Sequence, residues 1–133
     1  MTLEHVAIWT NDLERLKDYY EKFYGGKAGN KYRNESTEFE SYFLAFESGA
    51  RLEIMQRPDI PDNQNDVVHA QHLGIIHLAF EVPTMMEVEA KAQELVEHDF
   101  IILRGPRKTG DGYYEFETLD PDGNRLEVFC WVL

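Results

Sequence analysis

Two tetrapeptides, Arg51-Leu52-Glu53-Ile54 and Arg125-Leu126-Glu127-Val128, decide how this chain reads. Each follows a glycine by two positions, in Gly49-Ala50-Arg51 and Gly123-Asn124-Arg125. A second repeated stretch travels with them: His5-Val6-Ala7-Ile8 returns as His77-Leu78-Ala79-Phe80. The histidines are 72 residues apart and the glutamates 74, and within each half His to Glu runs 48 or 50 residues. Two short similarities in one order at nearly one offset point to an internal duplication, in which a unit needs its neighbour to bury a face.

Outward from the repeats, each half reads β-α-β-β-β. Residues 3–10 alternate in polarity and favour a strand. Asn11-Asp12 caps a helix carrying Leu13, Leu16, Tyr20 and Phe23, and Gly25-Gly26 stops it. A short polar strand over 28–33 precedes firmer strands at 39–47 and 50–57. Residues 58–73, with Pro58, Pro61, Asn63, Asn65, His69 and His72, form a polar connector. The second half opens with a strand at 74–82. Thr84 and Glu87 make a capping box, and Val88, Ala92, Leu95 and Val96 form the helix stripe. Strands follow at 100–104, 113–119 and 125–132, the last two joined by the turn at Asp120-Pro121-Asp122-Gly123-Asn124. The organisation is one domain over 1–133: module one 1–57, connector 58–73, module two 74–133.

The composition narrows the function. With 133 residues, 43% of them apolar, the chain can bury a modest core. A net charge of −12 argues against nucleic acid, whose phosphates require basic partners. No apolar run approaches the roughly 20 residues of a membrane span, and the acidic start lacks a signal-peptide pattern, so the expectation is a soluble cytoplasmic protein. A single cysteine, Cys130, excludes an internal disulfide framework and reads as buried filler.

Strand alternation assigns faces. Val6 and Ile8 oppose His5, Ala7 and Trp9; Leu52 and Ile54 oppose Glu53; Leu78 and Phe80 oppose His77; Leu126 and Val128 oppose Glu127. All four strands thus have one apolar face suited to a helix and carry their His or Glu on the other. Were a pseudo-twofold to relate the halves, two imidazoles and two carboxylates would meet across a central groove. That donor set suits one divalent ion, Zn²⁺, Ni²⁺, Co²⁺, Fe²⁺ or Mn²⁺. Trp9 and Trp131 share the ligand-face parity and either wall a pocket or fill a dimer seam. Tyr113 and Tyr114 either line the groove mouth or pack at its rim. Arg33, Arg104, Arg107 and Lys108 are candidate anion clamps by residue type. His98 is placed to cap the second helix.

The whole pattern resembles the vicinal oxygen chelate superfamily, which includes glyoxalase I, methylmalonyl-CoA epimerase, extradiol dioxygenases, and fosfomycin and bleomycin resistance proteins. Gly112-Tyr113-Tyr114-Glu115-Phe116 with Leu119-Asp120-Pro121-Asp122-Gly123-Asn124-Arg125-Leu126-Glu127 looks most like the glyoxalase-like members. The resemblance implies an α+β fold: two βαβββ modules form a cupped mixed sheet around a metal groove, helices lie outside, and the protein is often a homodimer. The bacterial-type glyoxalase I ligand set, His, Glu, His, Glu, maps onto His5, Glu53, His77 and Glu127. The epimerase commonly has Gln where Glu53 stands, and dioxygenase and fosfomycin-type sites use two His and one Glu, so Glu53 tilts the reading towards isomerase chemistry.

By the same resemblance the activity is that of a lyase or isomerase acting on a hemithioacetal or related hydroxy-carbonyl compound through a metal-bound enediolate, with Glu127 as first-choice base and Glu53 as its near-equivalent. A glutathione or other thiol adduct would then need Arg or Lys partners, with Trp9, Tyr113, Tyr114 and Arg33 as candidate substrate contacts. Two alternatives stay open: a three-ligand Fe²⁺ or Mn²⁺ enzyme of this fold, and a non-catalytic sequestering protein of the bleomycin-resistance type.

Overall fold

A computed structural model of the protein describes residues 1–64 and 68–132. The middle of the expected connector, 65–67, and the last residue therefore lie outside the described residues. The chain divides into two compact units, Met1–Asn63 and Gln64–Leu133.

The first unit contains β1 (His5–Trp9), α1 (Leu13–Tyr24), β2 (Lys27–Ala28), β3 (Tyr32–Asn34), β4 (Phe39–Ala45) and β5 (Arg51–Gln56). The second contains β6 (His77–Glu81), α2 (Met85–Glu97), β7 (Ile102–Lys108), β8 (Tyr113–Leu119) and β9 (Arg125–Trp131). Each unit builds its own mixed sheet, so the fold is α+β. The strand orders are β1-β5-β4-β2, with β3 also pairing β4, and β6-β9-β8-β7. In both, the first strand runs parallel to the last, which runs antiparallel to the one before it.

Local signals set the helices. Asp12 accepts a hydrogen bond from the Arg15 amide at 3.1 Å, closing the first turn of α1. Gly25 ends that helix in the left-handed region at φ 69°, which a glycine reaches without steric cost. In α2, Thr84 accepts from the Glu87 amide at 3.2 Å, while its hydroxyl donates to the Glu87 carboxylate at 2.8 Å. The capping box is therefore built through the hydroxyl. His98 closes the other end, its Nδ1 2.8 Å from the Glu94 carbonyl.

Helix and sheet meet along the apolar stripes. In the first unit Leu16, Tyr20, Leu44, Leu52 and Ile54 are buried, and in the second Val88, Leu95, Phe116, Leu126, Val128 and Cys130. Fully burying one such side chain contributes about 1.5–3 kcal/mol. Two expectations change. Val96 is exposed, because at 100° per residue it lies one step around from the Val88, Ala92, Leu95 line. The β7 strand continues past the expected end at 104 to Lys108, through Pro106. It is an edge strand with register shifts on either side of Arg104, and such strands accommodate a proline that cannot donate. Gly105 is required there: at φ 86°, a Cβ would come 2.5 Å from the Glu115 carbonyl oxygen. Among the described residues no helix is long and apolar enough to cross a membrane.

Candidate metal centre

The repeated residues occupy the same register in both sheets. Across the parallel ladders His5 pairs with Arg51 and Ala7 with Glu53; His77 pairs with Arg125 and Ala79 with Glu127. Each Glu therefore stands two positions along from the residue opposite its His, on the same face, opposite a small alanine. The helix side of every one of these strands is apolar, which leaves the imidazole and carboxylate on the uncovered side.

The diagonal spacing brings His and Glu into reach within each unit. His5 Nε2 is 3.8 Å from Glu53 Oε1, and His77 Nε2 is 3.3 Å from Glu127 Oε2. Two donors each about 2.1 Å from one ion, at tetrahedral to right-angle geometry, stand roughly 3.0–3.4 Å apart. The second pair meets that spacing and the first is slightly wide. Nitrogen and carboxylate oxygen also form the donor set expected of a borderline divalent cation. Among the described residues no three His, Cys, Asp or Glu side chains form a ready metal cage; what each unit presents is one His–Glu pair.

The surroundings of the two halves differ. Around His5, Phe43 stands opposite Glu53 on β4, and its ring meets the imidazole edge-on at 5.2 Å. Arg51 lies over Phe43 at 4.2 Å and donates from Nε to Glu4 at 2.8 Å. That hydrogen bond holds the Glu4 carboxyl down at about 2.

Around Glu127 the partner strand is acidic. Glu117 stands opposite it and Glu115 one repeat along the same face of β8. Burial, then the charge of Glu115, then the hydrogen bonds shared with Glu115 and Glu117, push the Glu127 carboxyl up to about 7. Glu117 is more deeply buried still, and burial alone would raise it. Its hydrogen bond to Arg104 at 2.9 Å, with the charges of Arg104 and Arg125, reverses that and holds it below the ordinary range. Arg125 is itself 7% exposed and has Nη1 3.3 Å from Glu117. Glu4, Glu115, Glu117, Arg51 and Arg125 escaped the sequence reading as site residues, and Arg104 enters it only as a candidate anion clamp. Alternation along β8 marked Glu115 and Glu117 as facing with Glu127; in the expected strand at 3–10 alternation put Glu4 on the face opposite His5, so it gave no such signal.

The remaining candidates are distributed as follows. Tyr113 lies on the Glu127 face and contacts Phe129 at 4.9 Å and Trp131 at 4.3 Å, forming an aromatic strip beyond Glu115. Tyr114, one residue on, points the other way and donates to Glu89 of α2 at 2.8 Å. Of its two expected placements Tyr114 thus takes packing rather than the groove mouth: a strand cannot send both tyrosines to one face. Trp9 packs against Phe39 at 6.0 Å and lies under Arg57 at 5.1 Å. Arg33 is held by Glu35 and Glu40, each at 3.2 Å, on the β3–β4 edge.

Comparison with known proteins adds a context to this geometry. The sequence model of the Glyoxalase/Bleomycin resistance protein/Dioxygenase superfamily matches residues 2–128. None of the curated proteins matches in sequence. Among solved structures, a trypanothione-dependent glyoxalase I from Leishmania major superposes with a TM-score of 0.78 at 21% identity, covering 98% of this chain and 86% of that one. A glyoxylase/bleomycin resistance protein/dioxygenase domain from Frankia sp. EAN1pec gives 0.80 at 16% identity, with 98% of both chains covered. A glyoxalase family protein from Enterococcus faecalis gives 0.73 at 25% identity, covering 95% and 94%.

Proposed function

Because this chain belongs to the Glyoxalase/Bleomycin resistance protein/Dioxygenase superfamily, we propose that it is a divalent-metal-dependent lyase or isomerase of the glyoxalase I kind. His5, Glu53, His77 and Glu127 are the residues that would hold one ion, Ni²⁺, Zn²⁺, Co²⁺, Fe²⁺ or Mn²⁺. The observation that carries this reading is the His–Glu pair repeated in one register in both units. When bound, such an ion supplies Lewis acidity towards a substrate carbonyl.

Proton movement falls to Glu127. In the metal-free protein its carboxyl is pushed up to about 7; a bound divalent ion would favour the carboxylate, the form that takes a proton from a substrate carbon. It would remove a proton from the carbon bearing a hydroxyl and deliver it to the neighbouring carbonyl carbon, while the hydroxyl proton passes to the former carbonyl oxygen, converting an α-hydroxycarbonyl compound into its isomer. Glu53 lies among Phe43 and Arg51 with no second carboxylate on the adjoining strand position, and its part is to hold the ion. Arg104 and Arg125 are engaged by Glu117, and Arg33 by Glu35 and Glu40, which leaves Arg107, opposite Glu115, and Lys108 as the candidate clamps for the carboxylates of a thiol adduct. The substrate class is a hydroxy-carbonyl compound, of which the hemithioacetal of a 2-oxoaldehyde with a thiol is one.

The test combines metal content with turnover. Chelator-stripped protein is reloaded with each ion, analysed for metal per chain and oligomeric state, and assayed on the hemithioacetal of methylglyoxal and glutathione. One tightly bound ion per four-donor set, lost in H77A/E127A, with isomerisation abolished in E127Q, is the expected result. Normal metal binding and turnover in E53Q would refute the four-donor set and favour the three-ligand Fe²⁺ or Mn²⁺ alternative. The aromatic strip Tyr113–Phe129–Trp131 beside Glu115 supports a second reading, a non-catalytic protein that sequesters a cationic aromatic compound. Tight binding of such a compound without metal or turnover would select it.

A further inference from the structure

Each histidine stands opposite an arginine, Arg51 across from His5 and Arg125 across from His77. Both units thus begin with the same cation beside the same imidazole. They differ in the carboxylate that neutralises it. In the second unit it is Glu117, the β8 residue opposite Glu127. In the first unit the position opposite Glu53 holds Phe43, and the carboxylate comes from Glu4, where the second unit has Ile76.

That exchange puts the first unit's carboxylate against the imidazole. Glu4 Oε1 is 3.1 Å from His5 Nδ1. Glu4 Oε2 accepts from Arg51 Nε at 2.8 Å, Arg51 covers Phe43 at 4.2 Å, and Phe43 meets the His5 ring at 5.2 Å and 83°. The four side chains close a ring of contacts.

We infer that Glu4 is a positioning residue for His5: it accepts the Nδ1–H, fixes that tautomer, and leaves the Nε2 lone pair directed towards Glu53 for a metal ion. An ionised carboxylate only accepts hydrogen bonds, so a Glu4–His5 bond places a proton on Nδ1. Neutral imidazole then has its lone pair on Nε2, the nitrogen 3.8 Å from Glu53. A ligating histidine held this way through its other nitrogen is better oriented and more basic. Arg51 keeps Glu4 in place and Phe43 sets the ring plane. The purpose of this device rests on the metal reading proposed above; the tautomer does not.

The test is a ¹⁵N-edited NMR measurement of the histidine tautomers in metal-free protein at about pH 8, where a typical His is neutral, with a parallel titration by Zn²⁺ alone. Wild-type His5 is expected in the Nδ1–H form. E4A should shift it towards Nε2–H while His77 stays unchanged as an internal reference, and E4Q, whose amide oxygen still accepts, should retain most of the wild-type pattern. Zn²⁺ affinity should fall about 10–100-fold in E4A and less in E4Q. An unchanged His5 tautomer in E4A overturns the inference. R51M, which releases Glu4 without removing it, should shift the tautomer in the same direction, and decides the matter should E4A fail to fold. Wild-type protein that binds no Zn²⁺ yet shows the E4A shift would refute the metal reading and support the hold of Glu4 on His5.

Discussion

Glu127→Gln in the metal-free protein should remove a pH dependence of stability that the wild type carries. The native carboxyl is raised from the ordinary 4.5 to about 7. Between those values the native state keeps a proton that the unfolded chain gives up. The stabilisation is thus fully present below about pH 4.5 and is lost as pH rises through about 7. At 1.36 kcal/mol per pH unit, the displacement sets a ceiling of about 3 kcal/mol. The side chain is 17% exposed and the effect is shared with Glu115 and Glu117, so screening and sharing reduce it to roughly 1–2 kcal/mol. Urea unfolding of both proteins with chelator present, at about pH 5 and about pH 8, measures the difference. With a slope of about 1.5 kcal/mol per molar urea, the wild-type midpoint should fall on the order of 1 M relative to E127Q between the two pH values. Parallel midpoints for the two proteins would refute the reasoning, because they would mean that Glu127 titrates in the folded protein as it does in the unfolded chain.

Other consequences follow from the same structure. Binding of Zn²⁺ near pH 6 should release a proton from the wild type that E127Q does not release, read as a dependence of the calorimetric signal on the buffer. Glu117→Gln leaves Arg125, 7% exposed, without its carboxylate, and should cost about 3–5 kcal/mol in chemical denaturation. Leu126→Ala, at a fully buried site under α2, should cost about 2–5 kcal/mol. Asp12→Ala removes the cap of α1 and should cost about 1 kcal/mol, seen as a small fall in the thermal midpoint.

What the sequence made legible was whatever rests on period and spacing. The duplication, the face shared by His5 and Glu53 and by His77 and Glu127, the Asp12 and Thr84 caps and the Asp120–Asn124 turn are all set by local chemistry, and the structure carries them. The misjudged features depend on which neighbour a strand meets. The strand expected at 100–104 runs on to Lys108 through Pro106, because at the edge a proline's missing donor has no partner to lose. Tyr113 and Tyr114 read as a pair, yet alternation sends one to Phe129 and Trp131 and the other to Glu89. The charge of Glu127 depends on Glu115 and Glu117, which are adjacent only once β8 and β9 are aligned. Alternation over 3–10 put Glu4 on the face opposite His5, and its direction is instead fixed by Arg51, a residue 47 positions away.

The exchange of carboxylates around Arg51 and Arg125 bears on how such a duplicated chain diverges. Glu117→Phe alone would take the carboxylate from buried Arg125, and Ile76→Glu alone would bring a second carboxylate towards an arginine that already has one. The two changes should therefore be non-additive, and a double-mutant cycle of I76E and E117F measures the coupling. The modules are thus unlike parts, one with an acid trained on its imidazole and the other with an acid trained on its carboxylate.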